Sequence, residues 1–386
     1  MRDELVRAFE RAFGDPQGAI CFRAPGRVNL IGEHTDYNDG FVLPVGVDRY
    51  VYFLVRRRED KLARIYSLNF AEMKEFEVDR LPGREGTWGD YIQGIIGEFW
   101  ARGDELEGFE GVIYGDIPIG AGLGSSAALE VAVAYGMSRI FEIDISDLEL
   151  VKLCQRAEND FVGANCGIMD QYVSFHAKRG KALFLDTRAL THQLIDLPLE
   201  ELGLLVVDTG VKHSLASSEY NKRRKECEES VRLLGLHIEG LRALRDLTPQ
   251  LLDRYEKVLP DRLQRRVRHV LEENLRVEQT VQALKQGDMA RVGRLLFASH
   301  ESLRDLYEVS SPELDFLVDL AQREGIIGAR MTGAGFGGAT IHLLLKGDIP
   351  DYRELVRREF EGKFGREPQI FEIQTSDGVK EEPEEV

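Results

Sequence analysis

Residues 118–140 read PIGAGLGSSAALEVAVAYGMSRI, and this passage from a glycine-rich bend into a nearly all-apolar helix constrains the fold most strongly. From Ser125 to Ile140 apolar residues occur almost all the way round, the pattern of a helix enclosed by other elements. Ahead of it, glycines free the backbone to turn sharply, so that amide N–H groups and the positive end of the new helix converge on one point. Such a bend cradles phosphate. It is not a Walker A loop, because no Lys-Ser/Thr pair follows the last glycine. Gly122, Gly124 and Ala127 also satisfy the dinucleotide pattern GxGxxA, with Glu142 in the position of the ribose-binding acid. Against that reading, Pro118 interrupts the strand-to-turn junction and the preceding chain does not alternate strand and helix. Serines capping a core helix are compatible with either.

Working outward, Val-, Phe-, Tyr- and Leu-rich runs at 19–24, 41–47, 49–56, 63–69, 73–78 and 110–116 predict strands, with a helix from Trp88 to Trp100. Ser146 and Glu149 form a capping box for a further helix. Strands recur at 181–186 and 203–208, charged helices fill 216–308, and the last strands flank GARMTGAGFGGATI at 328–341. Strands and helices without strict alternation predict an α+β fold. We expect two domains, 1–195 and 196–375, followed by an acidic disordered tail over 376–386.

The 386 residues carry 50 Lys+Arg against 67 Asp+Glu, a net charge of −17 that repels nucleic acid and anionic membrane alike. A small phosphorylated ligand remains compatible, provided its site is locally basic. No apolar run is long enough to span a bilayer. Four cysteines without a CxxC pair predict reduced thiols in the cytoplasm.

Two further stretches carry chemistry. GRVNLIGEHTDYND at 26–39 lies between predicted strands and gathers Arg27, Glu33, His34 and Asp36, charged groups suited to forked hydrogen bonds with neighbouring hydroxyls. A solvated polar turn is the plain alternative, and zinc a third, although no second histidine stands at helical spacing. In CQRAENDFVGANCGIMDQ at 154–171, Glu158 follows Val151 and Cys154 onto the apolar face of the helix begun at Ser146. A buried carboxylate needs a partner, and Mg²⁺ or an internal salt bridge would each serve. Asp170 reads either as an acid favoured by a helix N-terminus or as an acceptor for a hydroxyl proton.

Together these stretches resemble the galactokinase family, within the superfamily of galacto-, homoserine, mevalonate and phosphomevalonate kinases. GRVNLIGEHTDYNDGFVLP resembles its sugar signature, PIGAGLGSSAA the superfamily's ATP loop, CGIMDQ its catalytic segment and GARMTGAGFGGAT its C-terminal glycine motif; KHSLASSEYNKRR at 212–224 is also similar. The resemblance implies an N-terminal domain like the second domain of ribosomal protein S5 and a ferredoxin-like C-terminal domain, with the site between them. It implies transfer of the γ-phosphate of ATP to the anomeric hydroxyl of galactose. By the same resemblance Glu33, His34, Asp36, Gly167 and Tyr220 contact the sugar, while Arg27 and Asp170 flank the reacting hydroxyl. Gly120, Ala121, Gly122, Leu123, Gly124, Ser125 and Ser126 hold the triphosphate, and Ser126 and Glu158 hold Mg²⁺. Ser67 and Trp88 lie near the base, Lys212 is a further phosphate contact, and the glycines from Gly333 to Gly338 pack beside the site. Where the family loop reads GLSSSA, Gly124 here replaces the first serine, which puts only the affinity of the loop in doubt. The partners implied are galactose and ATP, with no nucleic acid and no membrane, and the assembly a monomer or weak homodimer. Related 1-kinases of N-acetylgalactosamine, arabinose or galacturonate, and a non-catalytic galactose sensor, are the alternatives.

Overall fold

The structure, a computed structural model, describes residues 1–118, 120–211 and 216–383, without the side chains of 216–218; Lys212 therefore lies outside the described residues. After helix α1 (Arg2–Phe13) come β1 (Ile20–Asn29), β2 (Phe41–Val42), β3 (Pro44–Arg57), β4 (Leu62–Ser67), β5 (Glu72–Glu77), α2 (Gly89–Arg102) and β6 (Phe109–Gly115). Helices α3 (Ser125–Ile140), α4 (Asp147–Arg156) and α5 (Met169–His176) follow, then β7 (Lys181–Asp186), β8 (Thr191–Asp196) and β9 (Leu202–Asp208). The second half comprises α6 (Ala216–Leu234), α7 (Pro249–Tyr255), α8 (Asp261–Gln286), α9 (Met289–Ser302), α10 (Pro312–Arg323), β10 (Gly328–Thr332), β11 (Ala339–Leu345), α11 (Ile349–Phe364), β12 (Gln369–Ile373) and β13 (Lys380–Glu382).

Six strands form the first sheet in the order β13-β1-β3-β6-β4-β5, antiparallel except for the β4–β6 pair. That arrangement is not doubly wound, so the dinucleotide-binding reading falls. The buried helix α3 lies across β1 and β3. Gly136 permits its close approach, since a Cβ there would stand 2.9 Å from Phe22 Cδ2 and 3.0 Å from Phe53 Cδ1. In the second half, β9, β10, β11 and β12 pair antiparallel in the order β10-β11-β9-β12, which with the intervening helices is the ferredoxin-like arrangement. The α+β expectation holds. A third sheet, β2-β7-β8, lies beside the turn that carries Glu33 to Asp36.

One irregularity positions the site. The register of β1 against β3 slips between Pro25 and Arg27. Pro25 has no N–H to give the ladder, and Gly26 has no side chain to block the Leu123 carbonyl, which an added Cβ would meet at 2.7 Å. The resulting bulge lets the Arg27 amide donate to the Leu123 carbonyl at 2.8 Å, tying the strand to the glycine bend.

The predicted strands 41–47 and 49–56 are one long strand, β3, preceded by the short β2, because the apolar run does not break at Asp48. The capping box at Ser146 and Glu149 is present. The helix it starts does not run regularly through Glu158, however: residues Ala157–Val162 form a π-helical turn. The tail expectation needs correction as well. Residues Lys380–Glu382 pair with Cys21, Phe22 and Arg23 of β1, Arg23 and Glu382 form an ion pair at 2.6 Å, and Ser376 is buried. Local composition reads as disordered there, yet an open strand edge supplies partners that composition cannot reveal. Deleting residues 379–386 should lower stability by about 1–3 kcal/mol and promote association through the uncovered β1 edge. Thermal melting and light scattering of the truncated chain check this; an unchanged melting temperature would contradict it.

Candidate functional site

Two adjoining cavities flank the N-terminal end of α3. Arg27, fixed by the β1 bulge, sends its guanidinium across to the first turn of α5. There Nε donates to Asp170 Oδ1 at 2.8 Å and Nη2 to Oδ2 at 2.6 Å, a bidentate pair. A third N–H, on Nη1, donates to the Gly122 carbonyl. One side chain thus ties the bend to the carboxylate. Gly124, which leads into α3, has φ 71, a left-handed conformation that serine rarely adopts. An added Cβ would stand 3.3 Å from Arg27 Cγ and 3.5 Å from Asp170 Oδ2, so this loop has no easy room for the family's serine at that position.

Arg27, Glu33, His34, Asp36, Gly167, Asp170 and Tyr220, all singled out from the sequence, line one cavity of about 140 Å³, together with Cys166, Met169, Gly333 and Ala334. Gly167 must be glycine here, because a Cβ would fall 1.7 Å from Asp36 Oδ2. Glu33 is held from the far half of the chain: its Oε1 accepts from the Gly333 amide at 2.8 Å and the Thr332 hydroxyl at 3.2 Å, with the fully buried Arg330 at 3.1 Å. The sequence reading took the motif at 328–341 as packing beside the site and did not single out Arg330. A lone arginine in an otherwise apolar strand was the available signal, since such a charge needs a buried partner.

Burial shapes the acid–base character of this acidic cavity. Asp170 is raised above the usual carboxylate range by burial, which Arg27 opposes through its charge and hydrogen bonds. Asp36 is raised to about 7, first by burial and then by the charge of Asp170. His34 is lowered to about 4 by burial, against the attraction of Glu33.

The second cavity, of about 440 Å³, is lined by Ser67, Phe70, Trp88, Ser125, Ser126 and neighbours. Phe70 and Trp88 present parallel rings, 6.4 Å between centroids and 3° between planes, while Trp88 Nε1 donates to Glu72 at 2.8 Å. Gly120 to Gly124 precede the helix whose Ser126 stands close enough to Glu158 to favour its ionised form. Behind that carboxylate lies a second one that the sequence reading missed. Gln171 Nε2 donates to Glu158 Oε2 at 2.6 Å and to Glu130 Oε2 at 3.0 Å, and the Cys166 thiol stands 3.1 Å from Glu158 Oε2. Burial pushes Glu130 well above its ordinary range, and Glu158 upward. Glu130 in the all-apolar helix was as conspicuous as Glu158.

Known proteins share this fold and much of this sequence. A galactokinase galactose-binding signature matches residues 7–57, the GHMP kinases N terminal domain 90–178 and the GHMP kinases C terminal domain 280–362. The galactokinase of Thermotoga neapolitana is 48% identical over 361 residues, covering 93% of this chain and 99% of the relative. That of a Roseiflexus species is 43% identical over 377 residues, covering 97% and 96%. The crystal structure of Lactococcus lactis galactokinase complexed with galactose superimposes with a TM-score of 0.94 at 35% identity, covering 98% of this chain and 99% of that one.

The raised Asp36 has a stability consequence. Between the unfolded carboxyl pKa near 4 and the folded value of about 7, the native state binds more protons, so stability falls as pH rises through that window. Asp36→Asn should therefore stabilise the ligand-free protein at pH 8, by at most roughly 4 kcal/mol because Asp36 opens onto the cavity, and the gain should vanish near pH 4. Melting curves of both proteins from pH 4 to 8 test this; a pH-independent difference would refute it.

Proposed function

This chain belongs to the galactokinase family of GHMP kinases, and on that premise we propose that it transfers the γ-phosphoryl group of ATP to the anomeric hydroxyl of galactose. The observation that carries the reading is the forked Arg27–Asp170 pair, whose guanidinium also grips the glycine bend. It brings a carboxylate facing the acidic cavity to the edge of the loop from which Ser125 and Ser126 face the aromatic one.

Galactose occupies the acidic cavity, its hydroxyls donating to Glu33 and Asp36. ATP occupies the aromatic cavity, with its base near Ser67 and Trp88 and its phosphates over the amides of 120–126. Asp170 takes the proton of the anomeric hydroxyl as that oxygen bonds to the γ-phosphorus and the bond to ADP breaks. Burial makes the carboxylate a better base than an exposed aspartate, while Arg27 keeps it ionised. A guanidinium has five N–H groups and three are engaged, so two remain for the charge that spreads over the transferred oxygens.

Among the described residues no cluster of three or more His, Cys, Asp or Glu side chains is arranged to hold a metal. Mg²⁺ bound to nucleotide needs only one or two protein oxygens, and Ser126 beside the buried Glu158, at the wall of the aromatic cavity, fits that demand. When bound, the cation neutralises charge on the phosphate oxygens. No described helix is long and apolar enough to cross a membrane. The four cysteines are unpaired, which accords with a reducing cytoplasm, and we read the protein as acting there as a monomer or weak homodimer.

ADP release with galactose, glucose, N-acetylgalactosamine, arabinose and galacturonate, each with and without Mg²⁺, is the direct test. Turnover should require galactose and the cation, and equal rates with glucose would overturn the assignment. Asp170→Asn should retain galactose affinity within about threefold while kcat falls about 10²–10⁴-fold; a near-normal kcat would remove Asp170 as the base. Arg27→Lys should lower kcat/KM at least about 100-fold, because an ammonium cannot form the fork.

A further inference from the structure

Both ring nitrogens of His34 are engaged by the protein itself. Nε2 stands 3.2 Å from the Ala334 carbonyl oxygen and Nδ1 stands 2.8 Å from the Tyr37 hydroxyl. A carbonyl oxygen can only accept, so Nε2 carries the hydrogen. In a neutral imidazole Nδ1 is then a lone pair, and Tyr37 must donate to it. With its single O–H spent, the Tyr37 oxygen accepts from Tyr307, 2.8 Å away. The Tyr307 oxygen in turn accepts from the Cys227 thiol at 3.1 Å. One backbone carbonyl therefore sets the direction of four consecutive hydrogen bonds.

The surroundings hold the ring neutral and still. Burial disfavours the imidazolium, with Arg223 and Arg330 opposing it and Glu33 favouring it. The rings of Tyr307, Tyr220 and Tyr37 lie 4.7, 5.6 and 5.8 Å from that of His34 between centroids. His34 also has φ 62, an uncommon left-handed conformation for a residue other than glycine, and Asn38 Nδ2 secures its carbonyl at 2.9 Å. Strain of this kind persists only where the neighbours over-determine the geometry.

We propose that His34 serves the acidic cavity as a latch and not as a sugar ligand through its ring nitrogens. As the Nε2-protonated imidazole it pins the Ala334 carbonyl to the sugar turn, and Tyr37 and Tyr307, neither among the residues that line the cavity, are positioning residues that set its tautomer. The adjacent Gly333 amide is a ligand of Glu33, so loosening the latch loosens the carboxylate that receives the sugar. This rests on the reading of the acidic cavity as the galactose site.

The test uses the full chain, Tyr37→Phe, Tyr307→Phe and the double variant, with ¹⁵N-histidine NMR alongside kinetics. Wild-type His34 should be the neutral Nε2–H tautomer both with and without galactose. Tyr37→Phe should raise KM for galactose about tenfold, leaving kcat and KM for ATP within about twofold. Tyr307→Phe should shift KM in the same direction by less, and the double variant should match Tyr37→Phe, since both hydroxyls act through one bond. A switch to Nδ1–H on adding galactose, or an unchanged galactose KM in Tyr37→Phe, would overturn the latch. If Tyr307→Phe does not fold, Tyr37→Phe and the tautomer spectrum still decide. A wild-type protein inactive on galactose would sink the proposed function, while the tautomer of the ligand-free protein would still judge the latch.

Discussion

The forked ion pair between Arg27 and Asp170 is the constraint on which the site depends. It joins three segments far apart in sequence: the bulge in β1, the glycine bend before α3 and the first turn of α5. Its partners are largely withdrawn from water, so each charge depends on the other. Removing one side of such a pair typically costs about 3–5 kcal/mol, because the remaining charge stays buried and unpaired. The price of that desolvation is a carboxylate and a glycine bend held in fixed relation to each other.

A second tie crosses between the halves of the chain. The GARMTGAG segment is the ferredoxin-like strand β10 with the turn that follows it, and its Arg330, Thr332 and Gly333 converge on Glu33 while Ala334 meets His34. The acidic cavity is therefore built jointly. The sugar turn supplies the acceptors, and the distant strand sets where they point.

Acidic groups crowded together away from water carry an energetic penalty, visible in the raised Asp36 and Asp170. The same crowding leaves several acceptors ready for hydroxyl donors. Functional sites commonly give up stability in this way.

Much of this was legible in the chain alone. Helix α3 announced its burial through an almost wholly apolar surface, the glycine bend had the makings of an anion cradle, and the clustered Arg27, Glu33, His34 and Asp36 marked charged groups suited to a polyhydroxyl ligand or to a solvated turn, because those signals are local and survive without knowledge of the fold. The resemblance to known kinases joined them into one function. What lay beyond reach were pairings that only the folded chain brings together: Arg330 with Glu33, the Tyr307 hydroxyl behind His34, Gln171 bridging two buried carboxylates, and the strand Lys380–Glu382 completing the first sheet. Local composition records which groups need partners. Only tertiary contact decides which partners they receive, since burial, hydrogen-bond direction and pKa are set by neighbours in space and not by neighbours in sequence.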